Sequence, residues 1–438
     1  MQTSVTCDWN DGNLVANGDF TKGVVNGLPA GWEPSCPNPA LAPKFELVTP
    51  KSGKPMLMAT GNGRKECWGV IKHPITFEAG KTYRFRVHFK FEGFEDVNHH
   101  MIHAVFGPEF NQGVMNYKKD GDWVIGDTRF EGPEKEGEGF MHLYFRYSPN
   151  GKVWWDHVSI SECEPIPSRP VKIAVNWGYG DMEHWDKWLD LAGQKFVDIA
   201  LLPESFNGKG VKDPESIDGE ANQFMAKKAR RWRIHVAGSV YEKRGDLTLN
   251  TGSLYGPDGK LIGTYSKNQL FDPECDEGAT SGTEMPVFQT RFGKVAFVIC
   301  YDSWFPEPMR LAAYKGAELI LFPSAGYFLD LMPARAADNG VWIAASSGCP
   351  AGVWDPSGAR AGEEYASETR YCKTGILNYE MDAVNRMIVV TIDMSKKYSP
   401  HYWGGPIHSA PGGRRIRQTR IVSLEDQIAQ EVKRWWDE

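Results

Sequence analysis

Long apolar runs are absent from this sequence. Nowhere do about 18 apolar residues follow one another, the length a membrane-crossing helix needs, so no membrane span is expected. A basic surplus is absent too: Lys and Arg total 49 against 56 Asp and Glu, a formal charge of −7. Phosphate contacts need a basic surface, so no nucleic-acid partner is expected. No two cysteines stand as Cys-x-x-Cys, which leaves a zinc cage unsupported. No internal repeat and no low-complexity tract occur, so solenoids drop out. The start, Met1-Gln2-Thr3-Ser4, lacks the charged and apolar regions of a leader. The protein is then either cytosolic or has lost a leader, with a secreted or periplasmic location slightly favoured.

What is present suits a globular protein of more than one domain. The chain has 438 residues, 41% of them apolar, and domains usually run to about 100–200 residues. Its eight cysteines split evenly, with Cys7, Cys36, Cys67 and Cys163 in front and Cys275, Cys300, Cys349 and Cys372 behind. The front four are either two disulfides of an oxidising compartment or four buried thiols.

Two textures meet in the chain. Residues 1–165 read as all-β. Thr82 to Phe89 alternates with period two, Met141 to Tyr147 and Val153 to Ile160 follow suit, and Gly, Pro and Asn cluster between such runs. That pattern predicts a sandwich or jelly roll. Glu164-Pro165-Ile166-Pro167-Ser168-Arg169-Pro170 has three prolines in seven residues, so residues 166–170 are expected to be a stiff linker. Residues 171–415 alternate strand and helix, as in a layered α/β domain. Within residues 416–438, Ser423 precedes the stripe Leu424, Ile428, Val432 and Trp435, which predicts a capped amphipathic helix.

Three strand ends carry chemistry. Leu201-Leu202-Pro203-Glu204 ends in a carboxylate, Thr264-Tyr265-Ser266-Lys267 in an amine and Val298-Ile299-Cys300 in a thiol. Ligands gather at strand ends in open α/β sheets. There the thiolate of Cys300 would attack a carbonyl, and Glu204 would shuttle the proton. Lys267 and the backbone N–H of Tyr301 would face the oxyanion. An amine near a thiol also lowers the thiol pKa, so Cys300 is expected to be the reactive cysteine. Taken singly, each residue has an ordinary structural role: a buried thiol, a loop carboxylate, a surface amine.

The surrounding words lift the trio above that. Leu-Leu-Pro-Glu-Ser at 201–205, Tyr-Ser-Lys at 265–267 and Val-Ile-Cys-Tyr-Asp-Ser-Trp-Phe-Pro-Glu at 298–307 resemble the nitrilase, or carbon–nitrogen hydrolase, superfamily. So do the segments 282–288, 316–324, 334–339 and 355–358, in family order, with Asp338 where a Glu is usual. The resemblance, over roughly 171–395, implies an αββα sandwich, a homodimer or larger homo-oligomer, and no catalytic cofactor. It implies Glu204 as base, Lys267 as oxyanion lysine and Cys300 as nucleophile. It also implies a second Glu between Lys267 and Cys300; Glu277 is the first choice and Glu274 the alternative. The expected reaction is hydrolysis of a small-molecule amide to acid plus ammonia or amine. Nitrile or N-carbamoyl hydrolysis and acyl transfer are alternatives on the same machinery, although Cys300-Tyr301-Asp302 is more amidase-like.

The front segment has a resemblance of its own. Residues 13–20, 28–32 and 153–160 look like the opening and closing strands of galactose-binding-like or carbohydrate-binding jelly rolls. Exposed aromatics of such a domain could stack on a glycan partner, but Trp32, Trp154 and Trp155 lie in motif strands and at least one of them is expected in the core, so a scaffold or lid role is the preferred expectation. The resemblance also implies a structural calcium ion at Asp156, though Thr21 stands where a second acid is common. If the front cysteines pair, Cys7–Cys163 with Cys36–Cys67 is the preferred connectivity. The rival of another class is a silent glycan-binding protein.

Overall fold

The computed structural model describes residues 9, 11–50, 53–94, 97–107, 110–114, 117–348, 350–363 and 375–395. They divide into two compact units, with the boundary between Pro167 and Ser168. The helix expected at 423–435 lies outside the described residues.

The front unit is built of two large antiparallel sheets, beside a small two-stranded one of Val24–Val25 and Leu28–Pro29. One has six strands, in the order Tyr117–Asp120, Trp123–Glu131, Thr82–Glu92, Lys152–Glu162, Met56–Thr60 and Lys44–Val48. The other has five: Glu33–Ser35, Trp68–Phe77, Gly137–Arg146, Met101–Gly107 and Phe110–Val114. Period-two alternation explains the sandwich. Phe85, Val87 and Phe89 point into one core with Ile71, Phe77, Leu143 and Phe145 of the other sheet. The intervening Lys90 lies 5.3 Å from the ring centroids of both Trp123 and Trp154. Asn13 closes the unit: its side chain donates to Val158 O and accepts from Ile160 N.

Several expectations change here. Trp32 and Trp155 are core residues at 3% and 0% exposure, as expected for at least one of the three, and Trp154 is half-buried with Lys90 over its ring. Cys36, Cys67 and Cys163 are free thiols, and Cys36 Sγ instead donates to the carbonyls of Asn38 and Trp68. Cys7 lies outside the described residues. The carboxylate of Asp156 is held by His88 Nδ1 at 2.7 Å and that of Asp19 by Thr21. Calcium takes six to eight oxygen ligands. Among the described residues no three His, Cys, Asp or Glu side chains group as metal ligands.

The second unit has four layers. Its elements are β1 (Pro170–Asn176), α1 (Met182–Gln194), β2 (Ile199–Glu204), α2 (Glu220–Trp232), β3 (His235–Arg244), β4 (Leu247–Tyr255), β5 (Leu261–Ser266), α3 (Asp272–Asp276), β6 (Phe288–Thr290) and β7 (Gly293–Phe297). Then follow α4 (Pro306–Tyr314), β8 (Leu319–Ser324), α5 (Leu331–Asn339), β9 (Trp342–Ser347), β10 (Gly352–Trp354), β11 (Ile376–Asp382) and β12 (Met387–Asp393). One sheet runs β5-β4-β3-β2-β1-β12-β11 and the other β6-β7-β8-β9-β10.

Strands β1 and β2 are apolar on both faces, as strands covered on both sides must be. Ile173, Val175, Ile199 and Leu201 face the core that also holds Phe297, Leu319 and Leu321 of the other sheet. Ala174, Ala200 and Leu202 face Trp185, Trp188 and Leu189 of α1 and Met225 and Ala229 of α2. Asp181 caps α1 by accepting from His184 N at 2.8 Å. The second half of the expected linker is part of this unit. Asp393 accepts from Ser168 Oγ and Arg169 N, and Pro170 already pairs in β1.

Candidate active site

The first sheet brings a carboxylate and an amine to one end. Glu204 closes β2, and Lys267 follows β5 directly. Between them β3 and β4 contribute Tyr241 and Asn250. Lys267 is buried at 1% exposure, with Nζ 3.0 Å from Glu204 Oε1 and 2.6 Å from Glu274 Oε2. Asn250 Nδ2 donates to both carboxylates, to Glu204 Oε1 at 2.7 Å and Glu274 Oε1 at 3.0 Å. Tyr241 OH donates to Glu274 Oε1 at 2.8 Å, and Ala325 N to Glu204 Oε2 at 2.8 Å.

Cys300 arrives from the second sheet. The expected strand to Cys300 stops at Phe297, and Cys300 opens a 3-10 turn, Cys300–Trp304, with φ at 43°. A side chain in the left-handed region is strained, and such strain persists where surrounding contacts impose it. Here they come from Asp302. Its Oδ2 accepts from Ile299 N at 2.9 Å and Tyr265 OH at 2.7 Å, and its Oδ1 from Asn268 N at 3.2 Å and Gln269 N at 2.7 Å. One buried carboxylate thus ties the nucleophile turn to the loop that carries Lys267. Burial pushes Asp302 up to about 6 despite these bonds.

The thiol sits among Glu204, Ser324 and Gly326, with Sγ 3.6 Å from Gly326 O. The expectation of a thiol acidified by Lys267 is overturned. Burial, then the charge of Glu204, pushes Cys300 up to about 12, and Lys267 only partly opposes them. Burial acts to lower the Lys267 pKa, but the charges of Glu204, Cys300 and Glu274 outweigh it, so the amine stays an ammonium. Burial acts to raise Glu274, and Lys267 together with the hydrogen bonds from Asn250 and Phe271 N more than reverses it.

The structure brings Glu204, Lys267 and Cys300 together, with Tyr301 next in the turn. It replaces Glu277 with Glu274 as the second carboxylate beside Lys267. Glu274 is the third residue of α3 and folds back, Oε2 accepting from Phe271 N at 2.8 Å. Glu277 caps the far end, exposed, with Lys212 Nζ 3.9 Å away. Sequence reasoning missed Asn250, Tyr241 and Asp302. A fully buried Asn inside a strand is unusual, and Asn250 in Leu249-Asn250-Thr251 was the signal available.

Residues 179–374 match the carbon-nitrogen hydrolase family. That segment is similar to curated relatives. An omega-amidase NIT2 from Danio rerio is 34% identical over 179 residues, which cover 36% of this chain and 64% of that protein. An omega-amidase NIT2-B from Xenopus laevis is 33% identical over 182 residues, 37% of this chain and 66% of that one. A nitrilase from Pyrococcus abyssi is 31% identical over 169 residues, 36% of this chain and 64% of that one. The chain therefore spans just under two thirds of the length of these relatives. Among solved structures, an amidase from Nesterenkonia sp. is similar at 22% identity and a TM-score of 0.43, covering 52% of this chain and 92% of that one.

Proposed function

We propose that this chain is an amidase-type carbon–nitrogen hydrolase, acting on a small-molecule amide through a thioester on Cys300. The observation that carries the reading is the buried ammonium of Lys267, held between Glu204 and Glu274 beside a thiol. Burying three ionisable groups is costly unless they compensate one another, and a purely structural site gains little from them.

A thiol held up at about 12 is not a standing thiolate. Glu204 takes its proton as Sγ attacks the amide carbon, so the net charge of the pocket is conserved during attack. The oxyanion faces the third donor of Lys267, the other two being engaged by carboxylates, and the N–H of Tyr301, in the first turn of the 3-10 segment. The C–N bond breaks as Glu204 returns the proton to the leaving nitrogen. Water then attacks the thioester, with Glu204 taking its proton, and the thiol re-forms as the acid departs. Glu274 and Asn250 hold the ammonium and the base in place. This route needs no metal or cofactor.

The front unit is read as an accessory jelly roll, supported by its two large antiparallel sheets and by Asn13 joining its first segment to its last strand. With Trp32, Trp154 and Trp155 engaged, a scaffold role is favoured over glycan binding; retention on glycan columns would reverse that. The family resemblance also implies a homodimer, which sedimentation tests. For the activity itself, ammonia release from a panel of primary amides is the test, with Cys300→Ala as control. Release by the wild-type enzyme and none by the variant supports the reading; equal release by both removes it.

A further inference from the structure

Three of the large apolar side chains most open to solvent stand around the nucleophile. Phe271 is 50% exposed, Trp304 46% and Phe328 56%. With half-buried Tyr301 they form a continuous run of rings. Centroids lie 5.4 Å apart for Phe271 and Tyr301, 5.7 Å for Tyr301 and Trp304, and 4.6 Å for Trp304 and Phe328. Phe305 meets the back of the run edge-on, 5.6 Å from Tyr301.

Each ring is fastened to a part of the site. The backbone of Phe271 donates to Glu274 Oε2 at 2.8 Å. Tyr301 follows Cys300. Phe328 lies two residues after Gly326, whose carbonyl stands 3.6 Å from Cys300 Sγ. The guanidinium of Arg335 donates to the backbone oxygens of Ser303 at 3.3 Å and Trp304 at 3.2 Å, so it buttresses the turn. Open rings in contact with one another leave apolar area in water at about 25 cal/mol per Å², and a contiguous patch of them marks a binding surface.

We propose that this run of rings is the acyl-side specificity surface of the site, taking uncharged amides whose acyl group carries an aryl ring or an extended apolar chain. The proposal rests on the amidase reading above and deepens it. Aryl and alkyl groups gain offset or edge contacts with Tyr301, Trp304 and Phe328. An acyl group ending in a carboxylate loses hydration against the same rings.

The test uses the full chain and ammonia release from acetamide, hexanamide, phenylacetamide and succinamate, for wild type, Trp304→Ala, Phe328→Ala and Trp304→Phe. Acylation of Cys300 is followed by intact mass, and oligomeric state by sedimentation. The expected result is kcat/KM about tenfold or more higher for phenylacetamide and hexanamide than for acetamide, with succinamate lowest. Each alanine variant should cut the phenylacetamide-to-acetamide ratio by about tenfold, and Trp304→Phe should restore most of it. A wild-type ratio near one, succinamate as best substrate, or ratios unchanged in both alanine variants overturns the proposal. So does an unchanged ratio with dissociation into monomers, which assigns the rings to a contact between copies. If acetamide is turned over without aryl preference, only this proposal falls. If no amide is cleaved and Cys300 is never acylated, the amidase reading falls with it.

Discussion

Each unit of the chain buries a network of polar side chains, and the two networks are built in opposite ways. In the front sandwich, Trp155 Nε1 donates to His103 Nε2 at 2.9 Å, and His103 Nδ1 faces Tyr117 OH at 3.0 Å. Tyr117 OH in turn donates to Val114 O at 3.0 Å. The bonding places the imidazole proton on Nδ1, and burial holds His103 down to about 3, so the chain is neutral throughout. In the second unit, Lys267 is as deeply buried yet stays charged, because Glu204 and Glu274 outweigh the cost of burial. A neutral buried network is a way to satisfy a core. A charged one, with a thiol beside it, is the mark of a site where charge is meant to move.

This contrast can be broken by substitution, and the largest effects belong to the charged network. Lys267→Met and Glu204→Gln should each lower turnover of an accepted amide by on the order of 10²–10⁴-fold while the protein still folds. Steady-state rates beside a thermal melt decide it; near-wild-type turnover in either variant takes that residue out of the site. Glu274→Gln should cost about a hundredfold, because the ammonium loses its closest partner, whereas Glu277→Gln should stay within about twofold of wild type. The reverse ranking would restore Glu277 as the second carboxylate.

Asp302→Asn comes next, at about tenfold to a hundredfold in kcat with little change in KM. An amide there sets its own N–H against backbone donors and loosens the link between the Cys300 turn and the Lys267 loop. A lower melting point with unchanged kcat would make Asp302 structural alone.

The neutral network should answer only in stability. His103→Phe leaves Trp155 Nε1 and Tyr117 OH short of a partner, at a cost of about 1–3 kcal/mol, with turnover unchanged. The folded pKa of His103 lies below its unfolded value, so the unfolded chain binds the extra proton. Its contribution is complete above about 6.5 and drains away as pH falls toward about 3. Melting curves across that range should lose part of their acid slope in the variant; an unchanged slope would mean His103 does not titrate on unfolding.

What the sequence made legible follows the same line. Strands apolar on both faces, such as Ile199–Leu202, and period-two runs, such as Thr82–Phe89, announced their elements because burial is written into their side chains. Glu204, Lys267 and Cys300 were legible as strand ends set in recognisable words. The choice between Glu274 and Glu277 was not: α3 has five residues, too few to show an apolar face, and only its fold-back onto Phe271 N separates the two carboxylates. The thiol state was misjudged because proximity to Lys267 suggested acidity, while burial and Glu204 set the balance. Among the aromatics of the front unit, the motif strands pointed to at least one in the core, and Trp32 and Trp155 both lie there.

The central claim is that Cys300 carries the acyl group and does so only with Glu204 as its base. Intact-mass analysis of the wild-type protein and of Glu204→Gln, each quenched in acid during incubation with phenylacetamide, tests it most directly. The account predicts an added acyl mass on the peptide containing Cys300 in the wild-type enzyme, released as acid on continued incubation. It predicts none in Glu204→Gln over the same time. Ammonia release with no adduct on Cys300, sustained in Cys300→Ala, would contradict it.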